Sequence, residues 1–213
     1  MVGINSFREN STSGFLHSPD HPTGDALVLT HGAGGNCQAA LLVAVADCLS
    51  SIGFTVLRCN LPFRQVRPFG PPFPAQAADD RRGLREAVAE MRRIVTGRIF
   101  LGGHSYGGRQ ASMLAAEDPG AADALLLLSY PLHPPKKPEQ MRTAHFPNLR
   151  TPTLFVHGAR DPFGTAEEIR STLEQIPAAA RLSLVENAGH DLARGKFDIG
   201  NLVIKPFREL TNA

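Results

Sequence analysis

Three residues of this 213-residue chain have the types and the order that acyl transfer needs: Ser105, Asp161 and His190. Ser105 stands in Gly103-His104-Ser105-Tyr106-Gly107, a G-x-S-x-G turn. The apolar run Ile99 to Leu101 precedes this turn, and the helix formers of Gln110 to Glu117 follow it. Strand, sharp turn and helix together lift a serine hydroxyl to the carboxyl end of a strand. Glycines at 103 and 107 leave room for the neighbouring backbone. A serine hydroxyl is a weak nucleophile at its own pKa. It needs a histidine to take its proton and return it to the leaving group. It also needs a carboxylate to hold the imidazole tautomer and stabilise the imidazolium. His190 in Ala188-Gly-His-Asp191 and Asp161 in Gly158-Ala-Arg-Asp161 supply these groups. Asp191 is the alternative acid, but it is too close to His190 along the chain to approach the ring from behind. His104 and His157 read as structural histidines.

The tetrahedral intermediate of such a reaction carries an oxyanion, which backbone N–H groups stabilise. One donor is the amide of Tyr106, directly after the nucleophile. The other is expected in His31-Gly-Ala-Gly-Gly35, at the Ala33 amide, with Gly34 as the near alternative. This turn lacks the Gly-Lys-Ser/Thr of a phosphate-binding loop and the last glycine of a dinucleotide fingerprint. His31 itself reads as structural. The stretch Leu61 to Pro74 holds Phe63, Arg64 and Arg67 in a loop stiffened by prolines. Two readings stand for it. It is a substrate-pocket wall with an arginine facing an anionic group, or a surface loop whose aromatic rings cover the sheet edge.

These residues require a scaffold of strands and helices in alternation. Ala26–Thr30, Phe54–Arg58, Ala124–Ser129, Thr153–His157 and Arg181–Val185 read as strands, mostly continuous apolar runs of the kind buried in parallel sheets. Phe15–His17 reads as a short edge strand. Cys37–Ser51 reads as a helix with Asn36 as N-cap and Gly53 beyond its C-terminus. Ala77–Val95 is an amphipathic helix with Leu84, Val88, Met91 and Val95 on one face. Its arginines alternate with Asp79, Asp80, Glu86 and Glu90, a solvated face with i,i+4 pairs. Thr165–Ile176 and Lys196–Leu210 complete the helices, the latter limited by Pro206. The predicted architecture is one α/β domain, residues 1–213, with a mainly parallel central sheet and helices on both faces. The segment Tyr130–Arg150 is too short for a full lid domain.

Lys and Arg number 22 and Asp and Glu 20, a net charge of +2 that favours neither nucleic acid nor an acidic membrane surface. The three cysteines, Cys37, Cys48 and Cys59, have no paired spacing and fit a reducing compartment. No long apolar run marks a signal peptide or a membrane span, so the expected location is cytoplasmic. No His/Asp cluster points to a metal, and no cofactor is expected.

Five stretches carry a family resemblance: Leu29–Gly35, Leu61–Arg64, Gly102–Arg109, His157–Asp161 and Ala188–Asp191. Over nearly its whole length the chain resembles the α/β-hydrolase superfamily, whose triads run in the order Ser, Asp, His. It is similar in particular to the small lidless dienelactone-hydrolase-like group, which includes the testis-expressed protein 30 type. The resemblance implies an α/β-hydrolase fold without a full lid. It also implies a serine hydrolase that cleaves a small carboxylic ester or thioester through an acyl-enzyme. True dienelactone hydrolases use a cysteine where this chain has Ser105, so their substrate does not carry over. A catalytically silent binding or scaffold domain, or an acyltransferase with the same triad, are the alternatives. The expected partner is a small-molecule ester, with homodimer formation left open.

Overall fold

A computed structural model describes residues 2–212, so Met1 and Ala213, the ends of the expected 1–213 domain, lie outside the described residues. Eight strands form one sheet: β1 (Gly3–Glu9), β2 (Thr12–Ser18), β3 (Ala26–Thr30), β4 (Thr55–Cys59), β5 (Ile99–His104), β6 (Ala124–Leu128), β7 (Thr153–Gly158) and β8 (Ala180–Val185). Their spatial order is β1-β2-β4-β3-β5-β6-β7-β8. The β1–β2 and β2–β4 pairs are antiparallel, and every pair from β4 through β8 is parallel. The helices are α1 (Ala40–Ser51), α2 (Pro62–Val66), α3 (Ala77–Ile94), α4 (Tyr106–Glu117), α5 (Ala166–Leu173) and α6 (Lys205–Thr211).

All five residues of β3 and of β6 are buried. Their near-continuous Leu and Val content is what a strand covered on both faces requires. The two covers are separate cores. On one face Leu84, Val88 and Met91 of α3 pack with Ala111 and Leu114 of α4 and Ile169 of α5. On the other face Leu42, Val45 and Leu49 of α1 pack with Phe207 of α6.

Four local expectations change. Phe15–His17 is not an edge: it lies in β2, between β1 and β4, and β1 is the outer strand. Only Phe7 of β1 is buried, so β1 lacks the alternation that marks a strand in sequence. Helix α1 starts at Ala40, because the Asn36 carboxamide accepts from the Gln38 N–H and closes a turn ahead of the helix. Gly53 does follow α1 with φ +101°. On α3 the ion pairs are Arg82–Asp79 and Arg93–Glu90 at i,i+3, while Arg81 and Arg85 reach Glu117 and Asp118 at the end of α4. Asp80 is buried rather than solvated. The last helix is shorter than Lys196–Leu210. A π-helical turn, Gly200–Ile204, precedes α6, and Pro206 sits in the first turn of α6, where its missing N–H breaks no helical bond.

Between β6 and β7 the chain holds only a short 3₁₀ turn, Phe146–Asn148, in place of a lid domain. Tyr130 donates its hydroxyl hydrogen to the Arg142 carbonyl, and the Arg142 N–H donates to the Leu132 carbonyl. These bonds fold the segment down beside the carboxyl ends of the strands.

Candidate active site

Ser105 joins β5 to α4 at φ 52°, ψ −115°, a strained conformation for a side chain other than glycine. Surrounding bonds over-determine it. The Ser105 N–H donates to the Leu128 carbonyl at 2.8 Å, and the Arg109 N–H donates back to the Ser105 carbonyl at 3.0 Å. The two flanking glycines are needed for close approach. A Cβ on Gly103 would lie 2.8 Å from Gly107 C, and one on Gly107 would lie 2.5 Å from the His31 carbonyl oxygen. Gly107→Ala is therefore expected to push the elbow off the 31–35 loop and cost about 1–3 kcal/mol. Thermal melts together with labelling of Ser105 check this. A variant with unchanged Tm and labelling would show that the loop yields freely.

His190 follows β8, and Asp161 follows β7. Their side chains meet Ser105 in one line. Ser105 Oγ–H donates to His190 Nε2 at 2.8 Å, and His190 Nδ1–H donates to Asp161 Oδ2 at 2.8 Å. The Asp161 side chain is fully buried, and its Oδ1 accepts from the Phe163 N–H at 2.9 Å. That second bond fixes which carboxylate oxygen faces the imidazole. The Phe163 ring stacks on His190 at 4.2 Å between centroids and covers one face of the imidazole. Asp191, the alternative acid, is turned away: it accepts from the Ala193 N–H and pairs with Arg194.

The other histidines have structural partners. His104 Nε2–H donates to the His190 carbonyl at 2.8 Å, so it holds the loop that presents the His190 ring. His157 Nε2–H donates to the Gly164 carbonyl at 2.8 Å. His31 Nδ1–H donates to the Gly32 carbonyl, and its Nε2 accepts from the Leu61 N–H. Burial pushes the His31 imidazole down to about 4. His145, bonded to Ser112 Oγ, is likewise pushed down to about 4, by burial first and then by Arg109 and Arg81. An unfolded histidine titrates near 6.5. Between these values the unfolded chain binds protons that the folded chain refuses. Stability is therefore full above about pH 6.5 and falls as the pH drops toward 4, by on the order of 1 kcal/mol per unit for each such histidine. Urea midpoints at pH 7.5, 6 and 5 check this, and a flat midpoint would contradict neutral burial of both rings.

The hydroxyl of Ser105 opens on a cavity of about 820 Å³. Ala33, Gly34 and Tyr106 line it. Among the described residues the Ala33, Gly34 and Tyr106 N–H groups donate to no backbone acceptor, while the Gly35 N–H closes the turn on the Gly32 carbonyl. Tyr106 is held from below: its hydroxyl donates to Asp80 Oδ2 at 2.7 Å, and its ring meets Phe63 edge-on at 5.8 Å. Asp80 also accepts from the Phe63 N–H.

The substrate contacts expected of Phe63, Arg64 and Arg67 are not where the structure puts those side chains. Phe63 is buried between His31 and Tyr106, beneath the cavity wall. Arg64 spends its guanidinium on four carbonyls, those of Ala33, Gly35, Arg67 and Gly70. With four of its five N–H donors committed it ties the two loops together. Arg67 lies over the Phe73 ring at 4.3 Å. From this loop it is Pro71, Pro72, Phe73 and Pro74 that line the cavity. Arg109, Gln110, Arg142 and Phe163 also line it and carried no role in the sequence reading. Arg109 was within reach of a helical-spacing argument, four residues after Ser105 on the same helix. Arg142 had no local signal.

Among the described residues no group of three or more His, Cys, Asp and Glu is gathered to hold a metal ion, and no helix is long and apolar enough to cross a membrane.

Residues 23–199 match the model of a family described as an alpha/beta hydrolase domain. Solved structures share the fold at low identity. A Thermus thermophilus protein, TT1662, superposes with TM-score 0.75 at 22% identity, over 100% of this chain and 99% of its own. A dienelactone hydrolase from Anabaena variabilis gives TM-score 0.71 at 20% identity, over 99% and 96%. A Xanthomonas campestris protein, XC6422, described as an α/β serine hydrolase without a lid, gives 0.71 at 19%, over 98% and 95%. Identities this low speak for the fold alone.

Proposed function

The chain belongs to the alpha/beta hydrolase domain family, and from that premise we propose that it is a serine hydrolase cleaving a small carboxylic ester or thioester through an acyl-enzyme. The observation that carries the reading is the hydrogen-bonded line Ser105–His190–Asp161, drawn from three strand ends and opening on a cavity. Ser105 Oγ attacks the carbonyl carbon as His190 Nε2 takes its proton. The oxyanion sits on the Ala33 and Tyr106 amides. Collapse breaks the bond to the leaving group, which departs with the proton from His190. Water then attacks the acyl-enzyme, again through His190, and the acid is released. Asp161 holds the tautomer and stabilises the imidazolium throughout.

The walls fit a compact acyl group. Met113, Phe73 and the prolines are apolar, and the volume lies within the range of small-molecule sites. All three cysteines are free, which fits a reducing cytoplasmic setting.

Intact mass after treatment with a neutral fluorophosphonate tests the reading. One adduct on the wild type, absent from Ser105→Ala, is expected, together with hydrolysis of p-nitrophenyl acetate. A correctly folded protein that takes no adduct would overturn it in favour of a silent binding domain.

A further inference from the structure

The cavity beside Ser105 has a one-sided polar inventory. Its lining includes two arginines, Arg109 and Arg142, and no aspartate or glutamate. Among the described residues neither arginine forms an ion pair, although Arg81, Arg82, Arg85 and Arg93 on the neighbouring helix all do. The Nε–H of Arg109 is buried and has no acceptor, and the same holds for Nε2 of Gln110, a side chain with no exposed surface. The Gln110 carbonyl oxygen is already occupied by Arg81. Arg142 has a single long contact, 3.4 Å from Nη1 to the Pro131 carbonyl. Beside them His145 is held neutral, by burial first and then by Arg109 and Arg81, and Arg142 is pushed down by burial first and then by Arg109. Two half-buried guanidinium groups on one cavity wall, with no carboxylate among the lining residues, leave a positive charge there without a matching anion. The group that matches it accepts without donating, carries negative charge and is planar enough for guanidinium forks, which describes a carboxylate.

We propose that Arg109 and Arg142 form a carboxylate-binding corner, so that the ester cleaved at Ser105 carries a free carboxylate at the far end of its acyl group. The proposal rests on the hydrolase reading above. The acyl side is chosen for two reasons. The leaving group must lie at His190 Nε2 to receive its proton. The acyl group stays bonded to Ser105, on the helix that carries Arg109. Four residues of that helix rise about 6 Å, a span that a short methylene chain bridges. The corner explains why the arginines expected to read the substrate, Arg64 and Arg67, are free to serve the loops instead.

Two p-nitrophenyl esters test it: that of glutaric acid, with its free terminal carboxylate, and that of monomethyl glutarate, which is neutral. The wild type is expected to favour the charged ester in kcat/KM by on the order of 10- to 100-fold. Arg109→Gln and Arg142→Gln should each remove most of that ratio. Arg109→Lys should keep part of it, since the charge stays and the fork is lost. Labelling of Ser105 by a neutral fluorophosphonate reports whether each variant still forms its site. Free glutarate should raise the Tm of Ser105→Ala and leave that of Ser105→Ala/Arg109→Gln unmoved. Equal turnover of the two esters by the wild type, an unchanged ratio in both glutamine variants, or an unchanged glutarate shift without Arg109 would each overturn the corner. No turnover of either ester with no adduct on Ser105, but a glutarate shift that needs Arg109, would retain the corner and overturn the hydrolase reading.

Discussion

Ser105→Ala is expected to lower kcat for ester hydrolysis by about 10⁵- to 10⁶-fold, the scale seen when a triad loses its nucleophile. The substitution removes one hydroxyl and keeps Cβ, so the strained turn loses little. The Ser105 N–H still donates to the Leu128 carbonyl, and α4 still closes on the Ser105 carbonyl. What disappears is the oxygen that His190 Nε2 holds at 2.8 Å. Residual turnover would come from the cavity and the two amides alone. Steady-state rates with p-nitrophenyl acetate, beside circular dichroism and a melting curve, check the result. A folded variant retaining a tenth of the wild-type rate would place the reacting group elsewhere.

The second large effect belongs to Asp161→Asn, expected to lower kcat by about 10⁴-fold. The reason is specific to this loop. The Phe163 N–H is satisfied by Asp161 Oδ1 at 2.9 Å. An asparagine must keep its carbonyl oxygen there, which turns its NH₂ toward His190 Nδ1. Nδ1 then has to accept, the ring proton moves to Nε2, and Nε2 can no longer take the proton of Ser105. The loss arises from the wrong tautomer rather than from misfolding. Asp191→Asn serves as the comparison, because that carboxylate is spent on the Ala193 N–H and Arg194. Similar rates for Asp161→Asn and wild type would remove Asp161 from the role of orienting residue.

These two effects follow from features of different legibility. The G-x-S-x-G turn and the runs Ala26–Thr30 and Ala124–Leu128 announce themselves locally, because burial on both faces demands continuous apolar residues and a tight turn demands glycine. The outer strand β1 does not, since a strand with one buried residue has no pattern to read. Asp80 looked like one charge among many on an arginine-rich helix. It is buried because that helix turn faces the Tyr106 hydroxyl and the Phe63 amide, neither of which is near it in sequence.

Arginines show the division most clearly. Arg64, Arg67, Arg109 and Arg142 are equivalent as letters, each a planar fork of donors. Which of them is free for a ligand depends on whose carbonyls the fold brings within reach. Arg64 meets four, from loops folded back over it, while Arg109 and Arg142 meet almost none. By itself, then, the sequence determined the alternation of strands and helices, the elbow, and the order of a serine, an aspartate and a histidine, each just past a strand. Each of those is set by short-range periodicity or turn sterics. Only the tertiary structure decided that Arg64 is spent on loop carbonyls, that Asp80 is buried under Tyr106, and that the cavity's charge comes from Arg109 and Arg142. Those outcomes depend on contacts between segments tens of residues apart, which exist only once the two cores have packed.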